Sequence, residues 1–172
     1  MLLGLKLTSV TTMIEYRKGN LLDVTSGVIA HGVNCQGVMG SGVAKAIRVK
    51  YPHVFDAYLK DVNSWKEGFG STKGQLGRVQ FISSVYTKGT RIFNEAPLVI
   101  ANCFTQNEFG TLRRQVDYEA VAQCFATLNT RSKLYGQLNI PKIGAGLGGG
   151  DWNVIESIIK SEYKDDVIVW EL

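Results

Sequence analysis

The sequence contains few of the residues that build metal centres or disulfide frameworks. Its 172 residues include three cysteines and two histidines, and no C-x-x-C pair. An odd number of cysteines with only two histidines provides no zinc-ligand set at metal-ligand spacing. We therefore expect no metal and no other cofactor. Free thiols also suit a reducing compartment, which predicts a cytoplasmic protein.

Long apolar runs and concentrated charge are also missing. No apolar run reaches the ~18 residues of a membrane span. The net charge of +4 comes from scattered basic residues, so the sequence carries no nucleic-acid-binding signal. We interpret residues 1–12, which are apolar but lack a clear signal-peptide cleavage site, as an N-terminal extension. Residues 13–172 then form a single domain, which we expect to be a monomer.

Predicted strands and helices alternate along the chain. Several of the strands are apolar on both faces, which is typical of a parallel sheet covered by helices on both sides. The pattern predicts an α/β fold, a three-layer α/β/α sandwich with a mixed, largely parallel central sheet. The predicted strands are residues 14–17, 27–33, 77–85, 98–104 (separated from the preceding strand at 87–91), 138–143 and 167–170; the predicted helices start at residue 43, with a break at 51–52, and cover 114–133 and 152–163.

Two glycine-rich loops each follow a predicted strand and precede a predicted helix. The first loop is residues 37–42 (GVMGSG) and the second is residues 144–150 (GAGLGGG). Ligands of α/β sheets bind beyond the carboxyl ends of the strands, where helix N-termini offer unpaired N–H groups. Glycine lets the backbone approach an anion closely. Two such loops could hold a diphosphate from both sides; the alternative is that they only form tight turns.

The second loop also matches G-x-G-x-x-G through Gly144, Gly146 and Gly149. Only 23 residues follow Gly149, too few for the remaining strands of a mononucleotide-binding half. The sequence contains neither a P-loop motif nor a G-x-S-x-G motif, which excludes P-loop nucleotide hydrolases and nucleophile-elbow hydrolases.

Three segments of the chain resemble the macrodomain family. Residues 16–22 (YRKGNLL) are similar to the opening strand and turn of that family. Residues 30–44 (AHGVNCQGVMGSGVA) resemble its H-x-x-N-x-x-G-x-x-G-x-G-[I/V]-A segment, and residues 140–152 (IPKIGAGLGGGDW) resemble its P-x-I-G-x-G-L-G-G-x-x-W loop. The ending VWEL is similar to that of the stand-alone "Appr-1-p processing" branch, which is phosphatase-like toward ADP-ribose 1″-phosphate. The resemblance covers residues 13–172 and implies binding of ADP-ribose.

The resemblance also implies which residues contact ADP-ribose. Asn20, with Leu21 beside it, stands where an aspartate often accepts a hydrogen bond from the adenine amino group. Asn34 falls at the position that holds the distal ribose, and Phe109 resembles an aromatic residue that flanks this ribose. The glycine loops supply the remaining implied contacts, from Gly40, Ser41, Gly42, Val43, Ile143, Gly144, Ala145, Gly146, Leu147, Gly148 and Gly149.

Cleavage at the distal ribose would need a positioned water or nucleophile and an acid. The catalytic candidates are Asn34, His31 and Asp151. His31 suits an acid or base, or else a hydrogen-bonded core histidine. Asp151 suits a group that activates water, or else a helix N-cap. Asn34 is expected to orient the ribose, because an amide beside a glycine loop has little structural purpose; Cys35 has no visible activating base.

A similar branch, which removes ADP-ribose from glutamate, uses a lysine–aspartate pair. In a gapless matching these two residues fall near Gln106 and at Gly148, so both are missing here. The resemblance therefore favours hydrolysis of ADP-ribose 1″-phosphate to ADP-ribose and phosphate. Two alternatives stay open: a non-catalytic ADP-ribose-binding module, and a hydrolase that removes ADP-ribose from protein or nucleic acid. The expected partners are accordingly the small-molecule ligand and ADP-ribosylated macromolecules.

Overall fold

The computed structural model describes residues 11–85 and 98–172. Residues 1–10 of the predicted extension and the predicted strand separation at 87–91 lie outside these ranges. Thr12 is buried, and its hydroxyl donates a hydrogen bond to the backbone oxygen of Tyr163. The last residue of the predicted extension thus packs against the domain, and a domain boundary at residue 13 stays a prediction.

Within the described residues, six strands form one sheet in the order β1-β6-β5-β2-β4-β3. Neighbouring strands are parallel, except that β3 runs antiparallel to β4. The prediction of a mixed, largely parallel sheet is confirmed. The strands are β1 (Ile14–Lys18), β2 (Gly27–Asn34), β3 (Val79–Ser83), β4 (Leu98–Gln106), β5 (Leu138–Ile140) and β6 (Val167–Glu171).

In the part of the chain that the structure describes, two helices pack on each face of this sheet, which confirms the three-layer prediction. Successive side chains of a strand point to opposite faces. On β2, Val28 and Ala30 pack against α3 and α4, whereas Ile29 and Val33 pack on the side of α1 and α2. The helices are α1 (Gly42–Lys50), α2 (Pro52–Phe69), α3 (Tyr118–Arg131) and α4 (Trp152–Glu162). In the two described ranges, no helix is long and apolar enough to cross a bilayer.

The predicted helix break at residues 51–52 is confirmed. Helix α1 ends at Lys50, and α2 begins at Pro52, where the missing N–H of proline has no helical partner to lose. Helix α2 then continues to Phe69. It ends at Gly70, which adopts a φ of 70° that glycine tolerates better than other residues.

Several predicted element boundaries differ in the structure, and two of the differences bear on the site. The strand predicted over residues 138–143 ends at Ile140, because Pro141 has no N–H to donate to a strand ladder. The helix predicted over residues 114–133 begins only after Asp117, whose carboxylate caps the first turn. Both changes lengthen loops at the carboxyl ends of parallel strands, which is the edge where the ligand site is expected.

Candidate functional site

A cavity of about 550 Å³ lies at the carboxyl ends of β2, β4 and β5. Its walls come from three segments, within residues 31–44, 105–111 and 141–148. Because β2 and β5 are neighbouring parallel strands, the two glycine loops that follow them meet at the same edge of the sheet. The structure thus brings both predicted glycine loops to one cavity.

The side chain of Asn34 organises the first glycine loop. Its Oδ1 atom accepts hydrogen bonds from the backbone N–H groups of Gln36 (2.9 Å) and Val38 (3.3 Å). Its Nδ2 atom donates to the Val38 carbonyl oxygen at 2.8 Å. The expectation that this amide has little structural purpose is therefore wrong. Asn34 also lines the cavity, and its second Nδ2 hydrogen has no acceptor within the described ranges, so its expected contact with a ribose stays a prediction.

Tyr58, on helix α2, also holds the first glycine loop by hydrogen bonds. Its hydroxyl lies 2.8 Å from both Oδ1 and the backbone oxygen of Asn34, and it accepts from the Gly37 N–H at 3.1 Å. Burial raises the pKa of the Tyr58 phenol, so the hydroxyl keeps its proton as a donor. Sequence reasoning missed this role, since helical spacing marks Tyr58 only as a core position.

The N-terminus of helix α1 faces the cavity without a side-chain cap. Ser41 occupies the N-cap position, but its hydroxyl accepts no hydrogen bond from the helix. In contrast, the carboxylates of Asp117 and Asp151 cap α3 and α4. Gly42 and Val43, the first residues of α1, line the cavity. Their N–H groups and the positive end of the helix dipole therefore suit an anionic ligand.

The second glycine loop presents another set of donors. The Gly148 carbonyl oxygen accepts from the N–H groups of Gln115 (2.9 Å) and Val116 (3.1 Å), which fixes the loop from behind. In the part of the chain that the structure describes, the backbone N–H groups of Gly146, Leu147 and Gly148 have no acceptor. Consecutive free N–H groups form a concave anion site. The cavity thus has backbone donors on two sides.

Gln106 and Gly148, the positions matched to the lysine–aspartate pair, lie side by side. A Cβ atom on Gly148 would lie 3.2 Å from Gln106 Oε1 and 2.8 Å from the Gly144 carbonyl oxygen. Because backbone cannot move aside as a flexible side chain can, this loop conformation accepts no side chain at residue 148. The chemistry of that pair is missing here in geometry as well as in sequence.

His31 lines the cavity wall but is only 1% exposed. Its Nε2 atom lies 2.6 Å from Asn102 Oδ1, while no residue in the described ranges bonds to its Nδ1 atom. Burial lowers the pKa of His31 from 6.5 to about 4, so the ring is neutral at pH 7. The hydrogen bond to Asn102 agrees with the interpretation of His31 as a hydrogen-bonded core histidine. The neutral ring lacks the additional proton that a general acid would donate. A role as base stays a prediction.

Four other predicted site residues lie outside the cavity lining: Asn20, Leu21, Gly149 and Asp151. The Asp151 carboxylate accepts from an N–H in the first turn of α4 at 2.8 Å, so the N-cap interpretation is the one observed. The Asn20 amide oxygen accepts in the same way from a backbone N–H two residues later, at 2.9 Å. Ligand or catalytic roles for these four residues stay predictions.

Phe109 also lies in the cavity wall and is 56% exposed, and its expected contact with the distal ribose stays a prediction. Lys142, which sequence reasoning missed, also lines the cavity and pairs with Glu171 at 2.6 Å. None of the described residues in the lining carries a carboxylate. Burial raises the pKa of the Cys35 thiol to about 12, so Cys35 is not a thiolate nucleophile.

Comparison with known proteins agrees with this geometry. The sequence matches the model of the Macro domain over residues 30–159. It is 31% identical over 170 residues to an ADP-ribose 1″-phosphate phosphatase of Scheffersomyces stipitis, covering 86% of this chain and 94% of that protein. It is 29% identical over 157 residues to a DNA ADP-ribosyl glycohydrolase of Mycobacterium tuberculosis, covering 88% of this chain but 39% of that protein.

A solved structure extends the comparison to the whole fold. It is a protein of unknown function from Bacteroides thetaiotaomicron, 30% identical, which superposes with a TM-score of 0.75 over 94% of this chain and 99% of that one. The family model covers well over half of the chain, and the Scheffersomyces protein aligns along nearly its whole length. This chain therefore belongs to the macrodomain family.

Proposed function

We propose that the protein binds ADP-ribose in this cavity and hydrolyses ADP-ribose 1″-phosphate to ADP-ribose and phosphate. The observation that carries the proposal is two sets of backbone donors in the cavity wall that have no acceptor among the described residues. One set is the uncapped N-terminus of α1 and the other is the N–H groups of residues 146–148. Together they would stabilise a diphosphate from both sides without any cation.

The charge of the cavity wall supports a ligand with several negative charges. The lining has no carboxylate within the described residues, and its Lys142 pairs with Glu171 at 2.6 Å. A phosphorylated ADP-ribose would therefore meet backbone donors and the positive end of the α1 dipole, with no carboxylate in the described lining to repel it. Hydrolysis then requires a water oriented near the distal ribose, for which Asn34 and His31 are the proposed residues. The similarity to the Scheffersomyces phosphatase along nearly both chains supports this activity over binding alone.

A second candidate function is the removal of ADP-ribose from a nucleic acid or a protein. The similarity to the Mycobacterium tuberculosis glycohydrolase favours it. A lysine–aspartate mechanism for that reaction does not fit this site, because the loop leaves no space for an aspartate side chain at Gly148. A non-catalytic binding module would use the same cavity and the same backbone donors.

The test is release of inorganic phosphate from ADP-ribose 1″-phosphate in the presence of EDTA, with a parallel calorimetric titration of ADP-ribose. We expect phosphate release by the wild-type protein and its loss in Asn34→Ala. Release of phosphate only after a divalent cation is added would contradict the metal-independent reaction. Binding of ADP-ribose without any phosphate release would overturn the phosphatase proposal and leave a binding module or a hydrolase of another ADP-ribosyl bond.

Tyr58→Phe is the matched control, since it removes support from the first glycine loop but leaves the Asn34 amide in place. If Asn34 acts only by holding the loop, both variants should lower ADP-ribose affinity and phosphate release together. If Asn34 also orients the ribose, Asn34→Ala should lower kcat more than Tyr58→Phe at equal ADP-ribose affinity.

A further inference from the structure

Three polar side chains form a ladder across the sheet beside the cavity. His31 on β2, Asn102 on β4 and Gln80 on β3 are direct partners in the strand register. His31 Nε2 lies 2.6 Å from Asn102 Oδ1, and Asn102 Nδ2 lies 3.1 Å from Gln80 Oε1. Gln80 Nε2 then donates to the Ala57 carbonyl oxygen of α2 at 3.0 Å. The ladder thus connects the cavity wall to the backbone of a helix.

The ladder interrupts an otherwise apolar layer. Two positions earlier on β2 and β4, Ile29 and Ile100 belong to one buried apolar cluster. Two positions later, Val33 and Phe104 belong to a second cluster. His31 and Asn102 are almost completely buried between them. Burial of polar groups is unfavourable unless they are hydrogen-bonded, and within this ladder the buried atom without a partner in the described ranges is His31 Nδ1.

The hydrogen bonds of the ladder can run in only one direction. The Ala57 carbonyl oxygen can only accept, so the Gln80 amide must present its nitrogen there and its oxygen to Asn102. Asn102 must then donate through Nδ2 and present Oδ1 to His31. The ring must therefore carry its proton on Nε2. What is left on Nδ1 is a lone pair, which accepts hydrogen bonds and cannot donate.

We propose that this ladder holds His31 as the Nε2–H tautomer, so that Nδ1 serves as a hydrogen-bond acceptor for a ligand hydroxyl or a water in the cavity, with Asn102 and Gln80 as positioning residues. The inference rests on the proposed function, since it assigns a role within the same cavity. Two observations support it. His31 belongs to the cavity wall, and Nδ1 is a buried acceptor with no donor in the described ranges. Burial also lowers the pKa of His31 to about 4, which keeps this lone pair unprotonated at pH 7.

The tautomer can be measured by 15N NMR of histidine-labelled protein, with His31→Gln used to assign the two histidines. At pH 7 we expect a protonated Nε2 and a bare Nδ1. On saturation with ADP-ribose, Nδ1 should show the shielding of a hydrogen-bonded acceptor. A proton on Nδ1, or a bare and unshielded Nδ1 in the saturated complex, would overturn the inference. If calorimetry shows no binding of ADP-ribose, the proposed function fails, while the tautomer is still decided in the free protein.

Asn102→Leu and Asn139→Leu form a matched pair of variants. Asn139 is also a buried strand asparagine, and it bonds to the Val28 carbonyl oxygen and Trp170 Nε1 rather than to a histidine. Both variants should lose stability. Only Asn102→Leu should mix the His31 tautomers and lower kcat for phosphate release by about tenfold to hundredfold, with KM little changed. Equal tautomer populations and equal kcat in the two variants would overturn the positioning role.

Gln80 offers a second and milder test, because it lies only partly buried at the far end of the ladder. Gln80→Glu keeps an acceptor for Asn102 Nδ2, so it should keep the Nε2–H tautomer. Gln80→Leu removes that acceptor and lets the Asn102 amide turn over, so it should populate the other tautomer of His31. The same tautomer in both Gln80 variants would contradict the directional ladder even if Asn102→Leu does not fold.

Discussion

Lowering the pH from 7 to 5 should destabilise the protein through His31. Burial lowers the pKa of this side chain from 6.5 to about 4 in the native state. Between these two values the unfolded chain binds a proton that the native chain does not, so the free energy of unfolding rises with pH across this window. The contribution is present in full above pH 6.5 and is lost as the pH falls to about 4.

The size of the effect follows from the difference between the two pKa values. At 1.36 kcal/mol per pKa unit, the complete loss is about 3 kcal/mol. About 2 kcal/mol of it should be lost between pH 7 and pH 5, before most carboxylates titrate. This is a large part of the 5–15 kcal/mol by which a domain is ordinarily stable.

Urea unfolding at pH 7, 6 and 5 measures this loss directly. The wild-type protein should lose about 2 kcal/mol more than His31→Gln between pH 7 and pH 5. His53→Gln, which replaces the other histidine of the chain, is measured alongside as the matched control. Equal losses of the free energy of unfolding in wild type and His31→Gln over this range would refute the lowered pKa of His31.

Three further predictions concern the loops and the thiol. Gly148→Ala should lower the free energy of unfolding by about 1–3 kcal/mol and weaken ADP-ribose binding, because its Cβ would lie 2.8 Å from the Gly144 carbonyl oxygen. The control is Gly146→Ala, which has open space around its Cβ and should unfold like wild type in urea. Asp151→Ala should cost about 1 kcal/mol in thermal unfolding as a lost helix cap, and kcat for phosphate release should be retained; a fall in kcat at unchanged stability would instead give Asp151 a catalytic role. Cys35 should resist iodoacetamide at pH 8 in the native protein and react once the protein is unfolded, because its pKa is raised to about 12. Alkylation is followed by mass spectrometry, and alkylation of Cys35 in the native protein would contradict this prediction.

The backbone part of the site could be predicted from the sequence. Strand, glycine loop and helix follow one another in chain order, and parallel strands align their carboxyl ends, so the local pattern already places both loops at one edge. The family motifs then identified the ligand class. The positions of the backbone donors depend on the conformation of the loops, and the spacing of the glycines indicates that conformation.

The roles of the site's side chains were harder to predict from the sequence, because they depend on contacts between segments far apart in the chain. Nothing local to Tyr58 shows that its hydroxyl reaches Asn34. The ladder behind His31 depends on the register of three strands, and register is a tertiary property. The sequence allowed Asp151 both a cap and a catalytic role, and only the position of the carboxylate relative to the cavity separates the two.

The bare N-terminus of α1 has a consequence for the energetics of the ligand-free protein. Helices α3 and α4 carry their own carboxylate caps, whereas α1 begins with Ser41 and no cap hydrogen bond. A phosphate group at this point would act as the cap that the chain does not supply. Ligand binding in the cavity is then thermodynamically coupled to the stability of the first turn of α1. Bound ligand should therefore slow amide hydrogen exchange in that turn more than in α3 or α4.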